Sequence, residues 1–339
     1  MAINKRLINT GGGGVEVPTS FNTVLYDANG GVLSVGGVGF QPDFVWIKQT
    51  SGTVNHSIFD TNRGVQKYLL SNDTTAEVVY AGRGLTSFNS DGFTVDDTGA
   101  LNYAVNHTGT YVAWCWKAGG AAVTNTDGSI SSEVSANVDA GFSVVKYTGN
   151  GSAATIGHGL NVAPNWIITK RIDASSNWDT YVSTLGASKY IVLDGTNAEI
   201  GTTAAAWNNT EPTSSVFSVG TSFSNNRIAY CFAEKAGFSK FGSYSGNGSA
   251  TGTTVTTDFE PAFVMIKRTD DTGNWVILDN KRDTSNPIDK TLNPNLFAEE
   301  SNANDIDFNA TTFQLKSTNA DTNASGTDNY IYMAFANQF

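Results

Sequence analysis

Short apolar runs recur at matched offsets along an otherwise polar chain. Three of them open on a proline: Pro42-Asp43-Phe44-Val45-Trp46-Ile47-Lys48, Pro164-Asn165-Trp166-Ile167-Ile168-Thr169-Lys170 and Pro261-Ala262-Phe263-Val264-Met265-Ile266-Lys267. Each has an aromatic residue two positions after the proline and a lysine at plus six. Apolar residues occupy both parities, so the runs read as strands covered on both faces. The proline suits a strand's first residue, where its missing donor costs least. The lysine at the end of each run is expected to emerge into solvent.

The matching continues on either side. Thirteen residues after each proline stands an asparagine, Asn55, Asn177 or Asn274, followed by His56, Trp178 and Trp275 respectively. Tyr26, Tyr147 and Tyr244 precede the prolines by 16, 17 and 17 residues. Downstream come Phe93, Phe217 and Phe313. The closing runs are Val112-Ala113-Trp114-Cys115-Trp116, Ile228-Ala229-Tyr230-Cys231-Phe232 and Ile331-Tyr332-Met333-Ala334-Phe335. Agreement at so many offsets points to a triplication.

The expected fold is therefore all-β: three tandem, internally homologous β-sandwich modules, jelly-roll or immunoglobulin-like, each with its own core. The modules span 21–120, 141–236 and 237–339. Residues 1–20 read as an N-terminal attachment arm and 121–140 as a polar connector. The junction at 234–238 has no linker, so the middle and last modules are expected to press closely together. Asp91-Gly92 and Asn150-Gly151 supply turns with positive φ. The one short helical candidate is 296–301. Cys115 and Cys231 hold equivalent positions in two modules and read as inert core thiols.

Composition agrees with this picture. Charged residues are 15% of the 339-residue chain, against about 25% in a typical soluble protein. With 19 Phe, 12 Tyr and 7 Trp the chain can still build packed cores. A net charge of −11 repels nucleic-acid backbones and anionic membranes, which argues against both as partners. No apolar run is long enough to cross a membrane as a helix. The opening residues lack the apolar stretch of a signal peptide. Synthesis in a cytoplasm is the reading that follows.

Chemistry is harder to find. His56, His107 and His158 share no metal-ligand spacing. No nucleophile elbow, zinc-protease motif, P-loop or dinucleotide fingerprint occurs, and the glycines at 11–14 read as a tether. Asp60 and Arg63, and likewise Asp279 and Arg282, read as ion pairs at a turn; the middle copy has Val182 and Leu185 there. A carbohydrate contact is the alternative for those pairs. Asp96-Asp97, Asp270-Asp271 and Asp305/Asp307 offer oxygen ligands to Ca²⁺, without the spacing of an EF-hand. No other cofactor is expected. Trp178, Trp275, Trp207 and His56 are the candidates for ligand contact, the first two because they follow an asparagine after a short polar loop.

Several strings carry a family likeness: 21–48 (FNTVLYDANGGVLSVGGVGFQPDFVWIK), 111–120 (YVAWCWKAGG), 139–147 (DAGFSVVKY), 229–252 (AYCFAEKAGFSKFGSYSGNGSATG) and 261–269 (PAFVMIKRT). Together they resemble a repetitive β-rich family of tail-fibre and other virion structural proteins of tailed bacteriophages, often marine, and of prophages. The resemblance implies a non-enzymatic virion part: a tail fibre, a fibre tip or a capsid-surface appendage with a host-adhesion role. Its expected partners are other virion proteins, further copies of itself with a trimer favoured, and a host-surface glycan or protein. A structural capsid decoration or connector protein and a carbohydrate-binding or depolymerising enzyme are the alternatives.

Overall fold

The computed structural model describes residues 19–96, 99, 103–201, 204–326 and 328–337. The attachment arm predicted at 1–20 falls almost wholly outside these residues, as does Asp97. Strands dominate, and the one helix among the described residues is the four-residue Ala320–Asn323. It is capped by Asn319, whose side chain accepts from the Asp321 amide. The helix expected at 296–301 is absent; those residues lead directly into the strand Ser301–Asn309.

Three antiparallel main sheets organise the chain. In the first, the strands lie in the order Phe21–Asp27, Thr110–Trp116, Phe44–Gln49, Ser57–Asp60, Lys67–Leu70, Val78–Val79. The last has the order Ser239–Ser245, Asn329–Phe335, Phe263–Arg268, Trp275–Asp279. The middle sheet contains Phe142–Asn150, Ser224–Phe232, Trp166–Arg171 and Trp178–Val182 in that order, with further strands on both sides. The proline-led strand pairs with the closing strand in each: Phe44 faces Trp116, Trp166 faces Phe232, and Phe263 faces Phe335.

Smaller sheets complete the layers. Phe93, Phe217 and Phe313 sit on them opposite Val35, Ile156 and Val255, and all three rings are fully buried. The turn at Asp91-Gly92 shows why glycine is required. Gly92 has φ +143°, and a Cβ there would come within 2.0 Å of the Val35 carbonyl.

The parity of the proline-led strands explains where the cores sit. Val45, Ile47 and Cys115 face the first sheet's own interior, together with Phe93 and Val95. Ile167, Ala229 and Cys231 do the same in the middle sheet, against Ile156 and Phe217. The opposite parity, Phe44 and Trp46 or Trp166 and Ile168, enters a core shared by all three sheets. At its centre Trp116, Phe232 and Phe335 form a triangle with ring separations of 6.2, 5.5 and 5.9 Å. Both cysteines are free and buried, and burial pushes each thiol well above its ordinary pKa. They are inert side chains of the separate cores.

Two expectations are corrected here. The lysines at the ends of the proline-led runs do not emerge into solvent; Lys48, Lys170 and Lys267 are all fully buried. They share the parity of Trp46, Ile168 and Met265, so alternation sends them into the seams between sheets rather than outward. The polar connector at 121–140 is not a free linker either. Val123–Asn125 and Ser132–Asn137 add two antiparallel strands to the edge of the middle sheet, with Val134 opposite Val145. Gly119 lets this edge approach the first sheet, since a Cβ there would lie 2.5 Å from the Ala136 carbonyl.

Candidate functional site

The sequence candidates fall into two places, the seams between the main sheets and a cavity on the middle sheet. Trp178, Trp275 and His56 occupy the seams and have no exposed surface. This corrects the expectation that they contact ligand. Trp178 Nε1 donates to the Leu70 carbonyl at 2.8 Å, and Trp275 Nε1 to the Val192 carbonyl at 2.9 Å. The polar loop before each tryptophan does keep exposed residues, Ser175 and Asn177 before Trp178 and Asp271 and Thr272 before Trp275, while the indole itself turns inward. His56 takes a hydrogen bond from Trp46 Nε1 at 3.0 Å on Nδ1. Its Nε2 has no partner at hydrogen-bond length, although the Asn293 backbone lies close enough to favour a proton there. Burial, followed by the charge of Lys48, holds the ring neutral, with a pKa well below the ordinary value.

Each seam also carries a backbone bond from a glutamate to the residue eight positions after a proline. Glu77 N donates to Ile172 O at 3.0 Å, Glu199 N to Thr269 O at 2.8 Å, and Glu300 N to Thr50 O at 2.9 Å. The three bonds lead from the first sheet to the middle, from the middle to the last, and from the last back to the first.

The expected ion pairs lie in these seams. Arg63 Nε meets Asp60 Oδ2 at 2.5 Å, and Arg282 Nε meets Asp279 Oδ2 at 2.6 Å; all four side chains are at most 2% exposed. The neighbouring sheet adds one more donor to each carboxylate, Tyr230 Oη to Asp60 at 2.7 Å and Trp114 Nε1 to Asp279 at 3.1 Å. Both carboxylates are thus saturated by protein groups, and a carbohydrate contact at these pairs is excluded by burial. The third seam has only apolar side chains at the corresponding offsets, Met333 and Val182, both in the shared core.

The buried lysines donate to carbonyls at the seams. Lys170 Nζ reaches Thr74 O at 2.7 Å and also Ser176 O, and Lys267 Nζ reaches Arg268 O at 2.6 Å. Lys48 Nζ bonds Gln49 O at 2.7 Å and Gly52 O at 2.9 Å. Burial pulls Lys48 down to about 7, against the pull of Glu299 and Glu300, and pulls Lys170 and Lys267 down to about 8. An unfolded lysine titrates near about 10.4. Between pH 7 and 10 the unfolded chain therefore binds more protons than the fold, and stability rises with pH. Melting temperature should climb across that window and level off below it. Lys48→Met should flatten the climb; an unchanged slope in that variant would show that Lys48 is charged throughout.

The cavity lies on the middle sheet and has a volume of about 270 Å³. Asp179, Tyr190, Ser222 and Phe223 line it, with the small residues Gly201 and Ala206. Trp207, the fourth aromatic candidate, is 1% exposed and supports this wall from behind, with its ring 5.0 Å from Phe223 and 5.7 Å from Tyr181. It cannot touch a ligand directly, which corrects the sequence expectation.

Asp179 is the chemical centre of the cavity. Arg227 Nη2 donates to its Oδ2 at 3.1 Å, while the guanidinium lies over the Phe223 ring at 4.2 Å. Burial raises the carboxyl to about 6, opposed by Arg227. The sequence reading missed Asp179, Tyr190, Ser222 and Arg227. The usable signal was Arg227, which stands where the other closing strands carry Tyr111 and Tyr330.

Of the acidic residues considered for Ca²⁺, three form ion pairs. Arg268 holds Asp270 at 2.9 Å and Asp271 at 3.7 Å, and Lys316 holds Asp307 at 3.3 Å. Among the described residues no three His, Cys, Asp or Glu side chains gather as a metal site. His158 is buried, with Nε2 3.1 Å from the Thr213 carbonyl and Nδ1 accepting from the Leu160 amide. No described helix is long and apolar enough to cross a membrane.

These features define a class: a β-rich chain with buried seams between its sheets and a cavity lined by one carboxylate. The chain belongs to the family described as a domain of unknown function, DUF7483, whose model matches residues 18–338. No curated protein and no solved structure matches it.

Proposed function

We propose that the protein is a non-enzymatic structural component of a tailed-phage virion, placed as a fibre tip or surface appendage with a host-adhesion role. In this reading the chain is three copies of one β-sandwich module, closed in a ring so that a single polypeptide supplies approximate threefold symmetry. The observation that carries the reading is the circuit of backbone bonds from Glu77, Glu199 and Glu300, each ending eight residues after a proline. The shared strand order of the main sheets and the Trp116–Phe232–Phe335 triangle support it. Virion parts follow the symmetry of the particle, and a ring of modules meets a threefold environment without further copies of itself. The strings that resemble phage virion proteins support the location.

Such a ring needs no homotrimer. Light scattering is expected to give one species of 35.9 kDa from micromolar to near-millimolar concentration; a mass of three chains would reject the self-contained ring. Location is tested separately. Density for this chain on the outside of an intact particle is the expected result, and its absence from purified particles would reject the virion assignment. Binding is favoured over cleavage because glycoside hydrolysis needs two carboxylates flanking the scissile bond, and the cavity is lined by one, Asp179.

A further inference from the structure

We propose that the cavity on the middle sheet binds one neutral polyhydroxylated ring, a pyranose unit of a surface glycan. This rests on the adhesion reading for the source of the ligand, while the binding chemistry stands on the cavity itself.

The cavity lies where the middle sheet departs from the other two. On the first sheet Tyr26 and Tyr111 stack at 5.2 Å, and on the last Tyr244 and Tyr330 stack at 5.0 Å. On the middle sheet Tyr147 is opposite Arg227 instead. That exchange places a guanidinium beside Phe223 and gives Asp179 its partner. Only Oδ2 of Asp179 is occupied by Arg227, and no hydrogen bond from a described residue reaches Oδ1. Tyr190 and Ser222, each with a hydroxyl, line the same cavity. Burial and the neighbouring Asp179 keep the Tyr190 hydroxyl protonated, so it can donate.

One acceptor and two hydroxyls around a small hollow complement the alternating donors and acceptors of vicinal ring hydroxyls. Tyr190 and Phe223 supply apolar wall for the C–H face of a ring. The Arg227 charge already balances Asp179, so the cavity selects neither an anion nor a cation. At about 270 Å³ it lies just below the usual range of small-molecule sites, about 300–1,000 Å³, and admits a single ring.

The test is titration of the purified full chain with glucose, galactose, mannose and N-acetylglucosamine, read by ligand-observed NMR, with glucuronate and glucosamine as charged controls. At least one neutral sugar is expected to bind with a millimolar dissociation constant. Ser222→Trp fills the hollow from its rim, and Asp179→Asn retains shape while weakening the acceptor. Each should reduce binding by about tenfold or more, the loss of one charge-assisted hydrogen bond or of the space itself. Melting temperatures of the variants establish that they are folded.

Wild-type binding should also decline as pH falls through about 6, where Asp179 gains a proton and ceases to be a full acceptor. No neutral sugar bound at about 50 mM, stronger binding of a charged control, or full binding by folded Ser222→Trp would each overturn the proposal. None of those results bears on whether the chain is found in the particle, so this inference can fail alone.

Discussion

Trp116→Ala is expected to destabilise the protein by about 3–5 kcal/mol, the range for deleting a large buried aromatic ring. The Trp116 ring touches rings from all three main sheets: Phe21 at 4.8 Å, Phe44 at 5.3 Å, Phe232 at 6.2 Å, and Phe263 and Phe335 at 5.7 and 5.5 Å. The walls of the resulting cavity belong to three separate sheets, so none can collapse into it without disturbing its pairing with the others. The loss should therefore lie toward the upper end of the range. It should also spread, with amide exchange accelerating in Ser224–Phe232 and Asn329–Phe335 as well as in the mutated strand. Cys115→Ala is the matched control, one residue away but facing the first sheet's own core. Urea unfolding with exchange mapping checks both variants. A loss below about 1 kcal/mol, or one confined to the first sheet, would mean that the central aromatics are not one cooperative core.

The same geometry shows why the sequence led only part of the way. Apolar residues on both parities of Phe44–Gln49 correctly announce a strand covered on both faces. Parity cannot say what does the covering. One face belongs to the first sheet's own interior, as expected, and the other to the two neighbouring sheets. That single ambiguity accounts for the misplaced lysines: Lys48 follows Trp46 into a seam rather than leaving the strand for solvent. It also accounts for Trp178 and Trp275, since a tryptophan after a polar loop resembles a surface residue until another sheet's carbonyl is seen on its Nε1.

The strands at 121–140 were hidden for a different reason. A strand with one solvated face needs few apolar residues, and Val134 is the buried apolar residue of Ser132–Asn137. The ion pairs were legible because Asp and Arg three residues apart stand at matched offsets in the first and last sheets and are both missing at that offset in the middle one. The cavity was legible only as a deviation from the repeating pattern. Arg227 in the place of a tyrosine changes what Asp179 can do, and neither residue belongs to any motif.

Asp279→Ala is expected to cost about 3–5 kcal/mol, because it takes from Arg282 its closest counter-ion in a place with almost no solvent. The Trp114 Nε1–H loses its acceptor in the same step. Arg282 retains the Ile277 carbonyl at 3.1 Å and Glu300 at 3.0 Å, which limits the loss without replacing the central partner. The chain itself shows the alternative: at the corresponding offsets in the middle sheet stand Val182 and Leu185. Asp279→Val combined with Arg282→Leu removes both charges, so what remains is the lost acceptor of the Trp114, Lys281 and Arg282 N–H groups, a cost that Asp279→Ala carries as well.

The double variant should therefore be more stable than Asp279→Ala alone, although it changes one more residue. A cycle built from Asp279→Val, Arg282→Leu and their combination should give a coupling of about 2 kcal/mol or more. Denaturant unfolding of the four proteins measures it. If the double variant loses the sum of the two singles, the pair is not a coupled buried unit. The seam would then draw its stability from the surrounding aromatic contacts, such as Trp114 against Phe263 at 5.9 Å, rather than from the charge pair.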